Sequence, residues 1–179
     1  MAWTAPMTAV ANTVFTAAQF NTHVRDNLNE TAPAKATTAG SLFVASGVNS
    51  IAERIPSTAS VATSEMTAST SYTDVATPGP AVTATTGTRA IVAVTSLVQN
   101  STPGENSYAS YAVSGASAIA ATDDRAVLIT AAAINQTLRA AAVYMETGLT
   151  AGSNTFTMKY RVTGGTGSFQ NRRLVVIPL

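Results

Sequence analysis

Residues 154–162, NTFTMKYRV, alternate strictly: Phe156, Met158, Tyr160 and Val162 are apolar, and Thr155, Thr157, Lys159 and Arg161 between them are polar. A period of two places the first set on one face of a β-strand and the second on the other, so one face is core and one is wet. From about residue 61 onward no window offers a convincing helical period. Segments 61–67, 72–76, 81–85, 89–99, 107–114, 125–132, 136–147, 154–162 and 169–178 read as strands. Turn signals separate them: Pro78-Gly79-Pro80, Pro103-Gly104, Asp123-Asp124, Ala151-Gly152-Ser153 and Gly164-Gly165-Thr166-Gly167. Residues 89–98 and 174–177 are more continuously apolar, the pattern of strands covered on both faces or central in a sandwich. The predicted fold is therefore mainly β: a single β-sandwich over residues 57–179, jelly-roll-like, with eight or nine strands.

One segment departs from this pattern. FTAAQFNTHVRDNLNE, residues 15–30, predicts a short amphipathic helix at about 17–29. Thr16 and Gln19 have the spacing of a capping box, and Phe15 and Phe20 that of a hydrophobic staple. Phe20, Val24 and Leu28 form a single narrow apolar stripe. A helix of about 13 residues is marginal alone in water, so it must dock. Phe15, Phe20, Val24 and Leu28 are the candidate partner-binding residues. Residues 1–40 then comprise an extended arm, this helix and a Pro33-containing linker, and residues 41–56 a short β-hairpin around Ser46, Gly47 and Asn49.

Composition narrows the function. The 179 residues suffice for one ordinary domain and an arm. Charged residues are 11% of the chain and the net charge is +1, so the electrostatic footprint of a nucleic-acid binder is missing. No run of apolar residues is long enough to span a membrane, and the first ten residues lack the pattern of a secretory signal, so folding is expected in the cytoplasm. With no Cys, neither disulfides nor thiolate chemistry is available. Small residues dominate, and a core of small side chains is light in buried area, which favours stabilisation by association.

A search for chemistry finds no active site. His23 is the only histidine and reads as a polar helix residue. Asp123-Asp124 reads as a turn. GGTGSF, residues 164–169, joins two strands and opens no helix, so it is a hairpin loop and not a phosphate cradle. No cofactor, metal or catalytic residue is expected. Tyr108 and Tyr111 in PGENSYASY offer an alternative: an aromatic surface of the sort that binds sugars, if they do not simply pack at a sheet edge. Arg172 and Arg173 must lie on opposite faces of a strand.

The N-terminal segment has a further meaning. Trp3, Thr4 and Pro6, followed by Thr16, Ala17, Ala18, Asn21, Thr22, Arg25, Asp26, Asn27 and Leu28, resemble the opening of virion structural proteins of tailed phages of actinobacteria and related hosts. Residues 40–45 and 51–56 are similar to a short strand pair of phage fibre and surface proteins. The resemblance covers about the first 56 residues, and head and tail proteins share it. The C-terminal pattern is similar to that of trimeric jelly rolls on phage surfaces, although heptads and repeats of a long fibre are missing. What this implies is a non-enzymatic capsid decoration protein, a homotrimer at the virion surface that binds the major capsid protein or other virion proteins. The alternative is a minor tail or host-recognition protein that binds surface glycan.

Overall fold

The computed structural model describes residues 3–179, which divide into two compact units at Ile55/Pro56. The first unit is built around one helical run: α1 (Ala17–Phe20), a π-helical turn (Asn21–Arg25) and α2 (Asp26–Leu28). A π turn is wider than an α turn, so residues four apart fall closer to one line, and the four-residue spacing of Phe20, Val24 and Leu28 runs through it. The segment expected to be a linker contains a one-turn helix, α3 (Ala32–Lys35), with Pro33 in its first turn, where a missing N–H costs nothing.

The hairpin β1 (Leu42–Gly47) and β2 (Ser50–Arg54) belongs to this same unit, closed by Asn49 in the left-handed region at φ 54°. Glu53 on β2 anchors the preceding chain: its carboxylate accepts from Thr37 N (3.0 Å), Thr38 N (2.9 Å), the Ser41 hydroxyl (2.7 Å) and the Thr37 hydroxyl. Those donors stabilise the charged form and draw its pKa down to about 2. Residues 37–41 are thus held by one carboxylate and are no flexible tether.

The second unit holds nine of the eleven strands among the described residues: β3 (Ser57–Val61), β4 (Glu65–Thr67), β5 (Ala81–Thr86), β6 (Ala90–Asn100), β7 (Asn106–Gly115), β8 (Val127–Thr130), β9 (Leu138–Glu146), β10 (Gly152–Val162) and β11 (Gly167–Pro178). They form a four-stranded sheet, β5-β10-β7-β8, and a five-stranded one, β3-β11-β6-β9, with β4 added alongside β11. Pairing is antiparallel and nested: β3 with β11, β5 with β10, β6 with β9 and β7 with β8. The expected strand at 72–76 is reduced to one bridge between Thr73 and Tyr160. There Ser69, Ser71 and the Pro78-Gly79-Pro80 turn bend the chain, so it follows the edge of β10 without a regular ladder.

The core lies between the sheets and follows the alternation. Phe156, Met158, Tyr160 and Val162 of β10 are fully buried, facing Val92, Val94 and Val98 of β6 and Phe169, Leu174 and Val176 of β11. The Tyr160 and Phe169 rings sit 4.8 Å apart and tilted, an arrangement that adds attraction beyond area burial. Each such side chain contributes about 1.5–3 kcal/mol by leaving water.

A β-bulge between Gln170 and Arg173 inserts one extra residue in β11, with Asn171 at φ 47°. The alternation restarts after it, so Arg172 points inward and is fully buried while Arg173 points out. The Arg172 guanidinium donates to Thr77 O (3.2 Å), Gly79 O (3.3 Å) and Thr63 Oγ1 (3.3 Å), and Glu65 lies 3.7 Å away.

Candidate interaction surfaces

The helical run is specified by its first turn. Gln19 N donates to Thr16 Oγ1 (3.2 Å) and Thr16 N donates to Gln19 Oε1 (2.9 Å), a complete capping box. The staple is present as well: the Phe15 and Phe20 rings meet edge to face with centroids 6.2 Å apart. On the helix's other side Asn27 is buried and acts as a piece of backbone. Its Oδ1 accepts from Thr4 N (2.8 Å), and its Nδ2 donates to Thr4 O (3.0 Å) and His23 O (3.0 Å). His23 Nδ1 sits 3.1 Å from Ala5 O. The arm is therefore fastened along the helix by Asn27 and His23, and Trp3 N reaches Asn49 O of the hairpin at 2.8 Å.

These fastenings leave the apolar stripe uncovered within its own unit. Phe15 is 53% exposed, Phe20 48% and Leu28 60%. Val24 is half-buried and, with Pro6, Met7, Val10, Val14 and Phe15, lines a groove of about 400 Å³ between arm and helix. Val10, Val14, Leu42, Phe43 and Val48 are exposed too. The surface of this unit is therefore rich in exposed apolar side chains, a feature that contiguous interaction patches share.

The two tyrosines do not form the aromatic sugar-binding surface considered for them. Both lie on β7 and both are buried, and an odd separation along a strand puts them on opposite faces. Tyr111 faces the core, where its hydroxyl donates to Glu146 Oε1 (2.8 Å), which also accepts from Arg125 Nη1 (2.8 Å). Burial, then the Glu146 bond, raises the Tyr111 pKa far above the usual tyrosine value. Tyr108 faces out beneath the Arg161 guanidinium, 4.0 Å from its ring centroid. Arg161 in turn pairs with Asp123, which also accepts from the Tyr72 hydroxyl (2.8 Å). The Arg161 bond, opposed by partial burial, lowers the Asp123 pKa. Asp123 and Asp124 sit in a 3₁₀ turn (Asp123–Arg125). Among the described residues no three His, Asp or Glu side chains converge as metal ligands.

The surface missed by sequence reasoning is the outer face of the five-stranded sheet. Strand register aligns Ile177, Ile91 and Met145 in one row and Val175, Ala93 and Val143 in the next. Val143 is 69% exposed and Met145 47%. The corresponding face of the other sheet is polar, with Thr83, Thr85, Thr155, Thr157 and Lys159. Further along the same sheet, Arg173 of β11 and Arg139 of β9 flank Thr95 of β6 across a depression of about 340 Å³, which Ser60 and Asn171 also line. The signal was present as the apolar runs at 89–98 and 174–177, but their outward half could not be separated from their inward half without the register. Comparison with protein-family models finds no match to this chain, and comparison with curated proteins finds none either.

Proposed function

We propose that the chain is a non-enzymatic structural protein of a tailed-phage virion, a capsid decoration protein that binds the particle surface as an oligomer after folding in the host cytoplasm. The observation that carries this reading is the preformed, capped helix whose stripe stays in solvent: a helix built with this care and left uncovered is built for a partner. Burying Phe20 and Leu28 on a capsid surface supplies about 1.5–3 kcal/mol each before entropic losses. The arm, helix and hairpin act as the anchor, and the sandwich as the outward domain.

The nested pairing supports the jelly-roll reading. First strand pairs with last and inner strands pair in turn, which yields two sheets whose orders interleave early and late strands, the arrangement found in capsid and lectin domains. Self-association, with a trimer as the expected state, uses the apolar rows around Ile91, Val143, Met145, Val175 and Ile177.

The test is occupancy on purified particles, measured by quantitative mass spectrometry against the major capsid protein. Hundreds of wild-type copies are expected. A chain carrying both Phe20→Ala and Leu28→Ala should be lost from particles while its sandwich melts unchanged. Retention at normal occupancy refutes the anchor, and a wild-type count of only a handful refutes the head location in favour of the tail.

A further inference from the structure

Among the described residues, eight of the sandwich's thirteen charged side chains are in ion pairs. Arg125 meets Glu146, Lys159 meets Asp74, Arg161 meets Asp123, and Arg172 meets Glu65. Arg139 and Arg173, like Arg89 and Asp124, have no ion pair or side-chain hydrogen bond among the described residues, and these two arginines are exposed and line one depression. In a chain with only 11% charged residues, two unpaired arginines lining one concavity are not a solvated charge run. They repel each other, and an anion between them removes that repulsion. The bulge at Gln170/Arg173 turns Arg173 outward into this position, as bulges do beside binding sites.

The lining between them is uncharged, with Val61 and Ala62 beside three polar residues. Ser60 and Thr95 supply hydroxyls and Asn171 an amide, so the depression offers both donors and acceptors beside two forks that match a carboxylate or phosphate. Its volume of about 340 Å³ is at the small end for ligand pockets, the size of a single sugar unit. We infer that this depression binds an acidic saccharide unit, with the anionic group on Arg139 and Arg173 and ring hydroxyls on Ser60, Thr95 and Asn171. The site lies along the sheet from the apolar rows and stands whether the protein sits on head or tail.

The test is titration of the full chain with glucuronate, glucose 6-phosphate, glucose and inorganic phosphate, followed by amide chemical shifts and calorimetry. Saturable binding of glucuronate or glucose 6-phosphate, with shifts at Thr95 and Asn171 and no response to glucose, is expected; whichever acid binds tighter identifies carboxylate or phosphate as the anion. Arg139→Gln and Arg173→Gln should each weaken binding about tenfold or more, with unchanged melting. No saturable binding of either acid sugar overturns the site. Inorganic phosphate binding as tightly as the sugars overturns the saccharide assignment. A fall in native mass in the Gln variants, without a binding loss, overturns it too and gives the arginines to a contact between copies.

Discussion

Adjacent arginines with opposite fates make a sharp test of this fold. Arg172→Met keeps roughly the length of the side chain but removes the buried cation. Thr77 O and Thr63 Oγ1 lose their donor, Gly79 O keeps only the Tyr160 hydroxyl (2.6 Å), and Glu65 loses its cation while keeping its bonds from Thr77. Breaking a buried pair from one side costs about 3–5 kcal/mol. For a unit of about 120 residues, with unfolding entropy near 2.1 cal/mol/K per residue, that corresponds to a melting midpoint lower by roughly 10–20 °C. Arg173→Met, one residue on and exposed without a partner, should fall within about 0.5 kcal/mol of wild type. Differential scanning calorimetry on both variants decides. If Arg172→Met melts within about 3 °C of wild type, the inward arginine contributes no net stability and the account of the bulge is wrong. The ligand assay should invert the order: Arg172→Met, kept below its midpoint, retains acid-sugar binding, and Arg173→Met loses it.

Four further outcomes are expected. Glu53 has a folded pKa of about 2 against an ordinary value of 4.5, so its stabilisation of residues 37–41 is complete above the ordinary value and is lost as pH falls through the folded one; the Thr37 and Thr38 amide shifts should hold at pH 3.5 in an NMR titration and collapse near the lower value. Asn27→Ala removes three hydrogen bonds and should release the arm at a local cost of about 1–3 kcal/mol, seen as faster hydrogen exchange at Thr4 and new proteolysis within residues 4–14. Gly115→Ala places a Cβ 2.4 Å from Ser153 O at φ +103°, and chemical denaturation should show a loss above about 2 kcal/mol; a neutral result contradicts the β7–β10 register. Val143→Asp puts a charge in the proposed contact between copies, and light scattering should then report a single-chain mass with an unchanged circular dichroism spectrum.

Local rules carried well where they involve neighbours in the chain. The capping box, the staple, the β10 face and the strand at β9 all depend on spacings of two to five residues, and each is present. Longer-range features were less legible. The segment at 72–76 has strand-like residues but lies where serine turns and the Pro78-Gly79-Pro80 bend set the path, so tertiary context overrides propensity. The burial of Arg172 required knowing that Asn171 adopts a left-handed conformation and restarts the alternation. For Tyr108 and Tyr111, the strand at 107–114 and the parity along it were readable and exclude a common surface, but the burial of both rings depends on partners distant in the chain, Glu146 and Arg161.

Residues 89–98 and 174–177 map onto β6 and β11, the two central strands of their sheet, which is one of the two alternatives their pattern offered. Their unbroken hydrophobicity is the pattern of strands covered on both faces, and in the isolated chain only the inner face is covered: Ile91, Ala93, Val175 and Ile177 remain half-exposed and continue onto Val143 and Met145 of the edge strand β9. This edge strand is nine residues long, carries Val, Tyr and Met and no Pro or Lys, and has Arg139 as its one exposed charge, so it is lightly protected against pairing with another chain. Proteins that remain single protect such edges and make such faces polar, as this one does on its other sheet. Composition written for two covered faces therefore fits the self-association proposed above, in which copies of this chain cover the apolar rows.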